Sequence, residues 1–128
     1  MRRYLDASAL VKLVVKEPES HALERWLGGR DDIVSCNLAR TEVVRAVWPS
    51  GNAARGRARR LIDEIELVQL DDELLDHAGE LEGLLRSLDA IHLAAALELD
   101  DELEVVVTYD GRMARAAEML GLPVVAPA

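Results

Sequence analysis

Glu104-Val105-Val106-Val107-Thr108-Tyr109-Asp110-Gly111 is the stretch that decides the fold. A strand with one wet face alternates apolar with polar residues, whereas the unbroken run Val105–Val107 reads as a strand covered on both faces. Gly111 then turns the chain into a helical stripe from Met113 to Leu120, which Gly121 stops, and Pro123-Val124-Val125 reads as a last edge strand.

The same alternation extends upstream. Arg2 to Leu5 is a short first strand, followed by a helix from Ala9 to Val15 with Ser8 as its expected cap. Pro18 suits a first helical position, and His21 to Leu27 continues that helix until Gly28-Gly29. Asp32 to Cys36 is a second strand. Asn37 is expected to cap a helix running to about Trp48, which Pro49 ends. Beyond the loop Ser50-Gly51-Asn52, Ala53 to about Ile65 is helical with its arginines outward, and Glu66 to Leu70 is a third strand. Asp71 caps an amphipathic helix carrying Leu74, Leu75, Ala78, Leu81, Leu84 and Leu85. After a break at Ser87, Asp89 to Leu99 is so uniformly apolar that the helix must be mostly buried. Strands separated by helices predict a parallel α/β sheet with helices on both faces, within a single domain spanning residues 1–128.

Composition excludes several classes. With 50% hydrophobic and 30% charged residues over 128 positions, the chain is neither disordered nor collagen-like. No apolar run approaches the ~18 residues of a membrane span, and Asp6 interrupts the N-terminus before a signal-peptide core develops. Cys36 stands alone, which precludes a disulfide or a cysteine-based zinc site within the chain. These features point to the cytoplasm, with no membrane partner. The net charge of −9 argues against a nucleic-acid partner only if the 24 acids are evenly spread. Acids gathered in one pocket and neutralised by cations would leave a basic rim free.

Four acids sit where acids are unexpected. Asp6 follows the first strand directly, and Asp110 follows Thr108 through Tyr109. In open parallel sheets ligands gather beyond the carboxyl ends of the strands, so these two are expected neighbours. Glu42 lies on the apolar stripe of its helix with Leu38, Ala39 and Ala46, and Asp89 leads the buried helix with Leu93 and Ala96 on its face. An unpaired carboxylate in either place costs several kcal/mol. Each has an ordinary explanation: Asp6 as a helix cap, Asp89 as a first-turn acid, Asp110-Gly111 as a turn, Glu42 paired with Arg40 or Arg45. Jointly these explanations require four accidents at one end of one sheet. If the acids converge they need a cation, and an all-oxygen donor set suits Mg²⁺ or Mn²⁺ and phosphoryl chemistry. His92 reads as a core histidine, while His21 and His77 read as surface or boundary residues. A metal-dependent phosphatase or phosphotransfer domain with Asp6 as nucleophile is an alternative, although Ser8 stands where such enzymes carry a second acid.

The segments Tyr4-Leu5-Asp6-Ala7-Ser8-Ala9-Leu10-Val11-Lys12, Ala39-Arg40-Thr41-Glu42-Val43, Leu88-Asp89-Ala90-Ile91-His92-Leu93-Ala94-Ala95-Ala96, Thr108-Tyr109-Asp110 and Gly121-Leu122-Pro123-Val124 occur in an order that resembles a PIN-domain protein. More narrowly, the chain resembles a VapC-type toxin ribonuclease of bacterial toxin–antitoxin pairs, from about Arg3 to Val125. The resemblance implies a three-layer α/β/α sandwich with a central parallel sheet, and Mg²⁺- or Mn²⁺-dependent cleavage of RNA. It also implies a homodimer silenced by a cognate VapB-like antitoxin, whose C-terminal segment enters the acidic groove. By position, Asp6, Glu42, Asp89 and Asp110 match the family's metal-binding and catalytic acids, with Ser8 and Thr108 in support. Arg40, Arg45, Arg55, Arg57, Arg59, Arg60 and Arg112 are candidates to meet the RNA backbone. A PIN fold that only docks a protein partner is a second alternative, which the presence of all four acids disfavours.

Overall fold

The computed structural model describes residues 1–128. Five parallel strands, β1 (Arg2–Leu5), β2 (Ile33–Cys36), β3 (Glu66–Val68), β4 (Leu103–Val107) and β5 (Val124–Val125), form one sheet in the order β3-β2-β1-β4-β5. β2 and β3 lie on one side of β1 and β4 and β5 on the other, so the strand order reverses between β1 and β4. Such a reversal opens a crevice at the strands' carboxyl ends. Leu5 pairs in register with Val107 there, which places the residues that follow both strands at one mouth.

Both faces of the sheet are covered. Leu5, Ile33, Val105 and Val107 pack into a core with helices α1 (Ala7–Val11), α2 (Ser20–Leu27), α3 (Ala39–Ala46) and α4 (Asn52–Glu64). Their strand neighbours Tyr4, Val34, Cys36 and Val106 point the other way, toward α5 (Asp72–Glu80) and α6 (Ser87–Glu98). A smaller cluster of Leu93, Met113, Ala116 and Ala117 joins α6 to α7 (Gly111–Met119). This is the expected three-layer sandwich. The valine run of β4 alternates between two cores, which is why no polar residue interrupts it.

Ala94, Ala95 and Ala96 are fully buried in the middle of α6, facing α5 and the sheet. Small side chains let the helix approach closely, and a larger one has no room. Ala95→Leu is therefore expected to cost about 1–3 kcal/mol through overpacking, read as a lowered denaturation midpoint.

Several local expectations are corrected. Asp6, not Ser8, caps α1 by accepting from the Ala9 N–H, and that helix stops at Val11 instead of Val15. α2 begins at Ser20 with Glu19 before it, so Pro18 lies outside. Asn37 caps nothing: its N–H donates to the Val68 carbonyl, extending the sheet, and its side chain donates to Gln69. α3 ends at Ala46, and Trp48–Ser50 forms a separate 3₁₀ turn. The Asp71 cap stands, but α5 ends at Glu80. Gly83 adopts φ +108°, a conformation that a helix cannot continue through. Leu84 consequently projects into solvent instead of extending the stripe. The break thus spans Leu81–Arg86, and α6 starts at Ser87. No helix is long and apolar enough to cross a membrane.

Candidate active site

Asp6 leaves β1 at the β1/β4 reversal and is only 4% exposed. Its Oδ1 accepts from Ser8 Oγ at 2.6 Å and from the Ala9 N–H at 3.1 Å, and its Oδ2 accepts from Thr108 Oγ1 at 2.5 Å. Ser8 and Thr108 are tied in turn to the strand β4 exit, since Ser8 Oγ accepts from the Tyr109 N–H and Thr108 Oγ1 from the Asp110 N–H. Burial pushes the Asp6 carboxyl above its ordinary range; Ser8, Thr108 and the charge of His92 oppose that rise. No cationic side chain touches Asp6. A buried carboxylate so placed is the strongest local demand for a cation in the fold.

Asp110 caps α7 through Oδ1, which accepts from the Arg112 N–H at 2.9 Å. Asp89 stands in the first turn of α6. One arginine joins the two: Arg86 Nε donates to Asp89 Oδ2 at 3.0 Å, and a terminal nitrogen donates to Asp110 Oδ2 at 3.2 Å. Asp6, Ser8, Thr108, Asp110 and Asp89 thus form one connected set at the sheet's carboxyl edge.

Glu42 reaches that edge from the other layer. Its Oε1 accepts from His92 Nε2 at 2.6 Å, and His92 Nδ1 lies 2.8 Å from the Tyr4 hydroxyl and 3.7 Å from Cys36 Sγ. Neither Arg40 nor Arg45 is its partner. Burial alone would lower the His92 pKa, but its hydrogen bonds to Cys36 and Glu42 carry it from 6.5 up to about 10. Its Nε2 faces Glu42 and its Nδ1 faces Tyr4 and Cys36, so both ring nitrogens are already engaged. His92 is as buried as the sequence suggests, and it holds one oxygen of Glu42 and leaves the other free.

No three His, Cys, Asp or Glu side chains stand close enough to hold an ion between them as placed. His92 engages Glu42, and Arg86 engages Asp89 and Asp110. The donor set nevertheless fits a hard divalent ion, because the available atoms are all carboxylate oxygens and the buried Asp6 charge lacks a cation.

The arginines divide by location. Arg112 borders the acids, in a groove of about 570 Å³ that Arg86, Asp89, Arg115 and Met119 also line. Arg45 and Arg55 stack on the half-exposed Trp48 ring, 5.0 and 4.1 Å from its centre. Arg40 pairs with Asp63 at 3.7 Å beside Arg59 on the outer surface of α3 and α4, and Arg57 donates to the Val14 carbonyl. Sequence reasoning missed Arg86 and Arg115, and it gave His92 no role at the site. Arg86 precedes Asp89 by three residues, a visible cue, but its second acid is 24 positions away.

The chain that carries these acids at the mouth of a β3-β2-β1-β4-β5 parallel sheet matches the family model of the PIN domain over residues 3–119. The chain belongs to that family. Within it, the chain is 50% identical over 125 residues to ribonuclease VapC46 of Mycobacterium tuberculosis H37Rv, covering 97% of this chain and 96% of the relative. It is therefore a VapC-family ribonuclease. Among solved structures, VapC20 of Mycobacterium tuberculosis, a Sarcin–Ricin loop cleaving toxin, superposes with a TM-score of 0.75 at 17% identity, covering 98% of this chain and 99% of that one. VapBC-1 from nontypeable Haemophilus influenzae superposes at 0.65 with 15% identity, covering 98% of each chain. At those identities the likeness is one of fold.

Proposed function

We propose that this chain, working as a single PIN domain in the cytoplasm, is an Mg²⁺- or Mn²⁺-dependent endoribonuclease toxin whose centre is Asp6, Glu42, Asp89 and Asp110. The observation that carries this reading is the buried Asp6 carboxylate, held without a cationic partner at the β1/β4 reversal. A bound divalent ion supplies Lewis acidity toward the phosphate and offsets charge on the leaving oxygen. The four acids would hold it. Ser8 and Thr108 fix the Asp6 carboxylate by donating to opposite oxygens, so that it need not reorganise when charge develops. The free oxygen of Glu42 takes the proton of the attacking water, while His92 holds its other oxygen. Water attacks phosphorus in line, a P–O bond breaks, and one RNA strand becomes two. Arg112 beside the acids, and the Arg45–Trp48–Arg55 stack, are suited to the RNA backbone.

Asp6 as a phosphoryl-accepting nucleophile is disfavoured, because Ser8, which donates to Asp6 Oδ1, stands where such enzymes carry a second acid. The family likeness, with the VapBC-1 structure as a fold relative, supports a VapB-like antitoxin as partner, and a homodimer is the working form that we propose with it.

The test is incubation with total cellular RNA in Mg²⁺ or Mn²⁺, with EDTA as control. Cleavage that EDTA abolishes is expected, and cleavage indifferent to EDTA would reject the metal-dependent reading. Binding should also stabilise the fold by mass action, by about 2–3 kcal/mol at a hundredfold excess over Kd. A melting temperature unmoved by millimolar Mg²⁺ or Mn²⁺ would contradict this.

A further inference from the structure

Asp89 and Asp110 share one cation supplied by the chain itself. Arg86 is the last residue before α6, with an extended backbone (φ −71°, ψ 149°) and a side chain 55% exposed. Its fork donates to Oδ2 of both acids, at 3.0 and 3.2 Å. An exposed i,i+3 pair alone is worth little. The second acceptor, from the start of another helix, makes the arrangement a clamp that only a planar guanidinium can span. Asp110 Oδ1 is committed to the Arg112 N–H at the head of α7. The oxygen that Asp110 has left for any other cation is therefore the one Arg86 holds.

We propose that Arg86 competes with the divalent ion for Asp89 and Asp110 and so sets the metal affinity of the centre. This rests on the reading that those acids hold the ion. Two effects act with the same sign: the guanidinium occupies the Oδ2 atoms, and its charge repels a dication a few ångströms away. Displacement costs little packing, because the head sits on the wall of the 570 Å³ groove and not in a core. In that groove it joins Arg112 and Arg115, a cluster of cations suited to an RNA phosphate. The same side chain would thus leave the carboxylates when the ion arrives and face the substrate.

Mn²⁺ titration of the full chain, with free ion read by electron paramagnetic resonance, tests this without reference to activity. Arg86→Gln is expected to bind Mn²⁺ about three- to tenfold more tightly than the wild type. Arg86→Lys keeps the charge but cannot fork to both acids, and should fall between the two. Affinity unchanged or weakened in both variants overturns the competition. Asp89→Asn separates this failure from that of the underlying reading. It should bind Mn²⁺ more weakly than the wild type, and if it binds equally well the acids are not the ligands and both proposals fall. Weaker binding by Asp89→Asn without tighter binding by the arginine variants overturns the competition alone.

Discussion

Asp6→Asn is expected to reduce RNA cleavage by a factor on the order of 10²–10³ while leaving the melting temperature equal to or above that of the wild type. The expected loss of rate is that of removing a charge from the proposed centre. The retained stability follows from the environment of Asp6. Burial raises its pKa, so the ionised carboxylate is less favourable in the folded chain than in the unfolded one. Stability tied to that charge declines as pH rises through the ordinary carboxylate range, and a neutral isostere removes the penalty. The amide oxygen can still accept from Ser8 and from the Ala9 N–H, which preserves the α1 cap. The amide nitrogen would meet Thr108 Oγ1, whose hydroxyl can turn to Ser8 Oγ, 3.3 Å away. Cleavage assays beside thermal melts check both halves. A variant that is active, or that melts well below the wild type, would mean that Asp6 serves chiefly as a structural cap.

Such an opposition between charge and stability is what a site kept for chemistry rather than for folding is expected to show. It also shows what a linear reading can and cannot reach. The fold was legible because both of its signals are local: the valine run of β4 for two-sided burial, and the apolar stripe of α6 for a helix between layers. Asp6 and Asp110 were legible because strand ends are visible in sequence and parallel topology brings such ends together. The partners of the site were not. Glu42 meets a histidine 50 positions away, and Arg86 spans acids on two helices. Such pairs depend on how α3, α6 and α7 meet over the sheet, which no periodicity encodes. The helix boundaries failed for a related reason. Leu81, Leu84 and Leu85 fit the helical spacing of α5, but a single glycine at positive φ overrode that pattern.

His92→Ala is the second large effect. We expect cleavage to fall about 10- to 100-fold, the usual consequence of losing a group that orients a ligand. Folding stability should fall by about 1–3 kcal/mol, because Tyr4 and Glu42 lose their shared partner. The partners of His92 are Glu42, Tyr4 and Cys36, so in this reading it is a positioning residue whose effect passes through Glu42. That route makes a specific demand on the combined variant. Glu42→Gln alone should lose more activity than His92→Ala, and adding His92→Ala to Glu42→Gln should remove little further activity. His92→Gln, which can still donate to Glu42 Oε1, should recover part of the rate by restoring kcat more than KM. Tyr4→Phe should move the rate least, since the Nε2 contact to Glu42 remains when the Nδ1 partner is lost. Additive losses from His92→Ala and Glu42→Gln would show that the histidine acts elsewhere, and the imidazolium would then be a core group that happens to lie beside the acid.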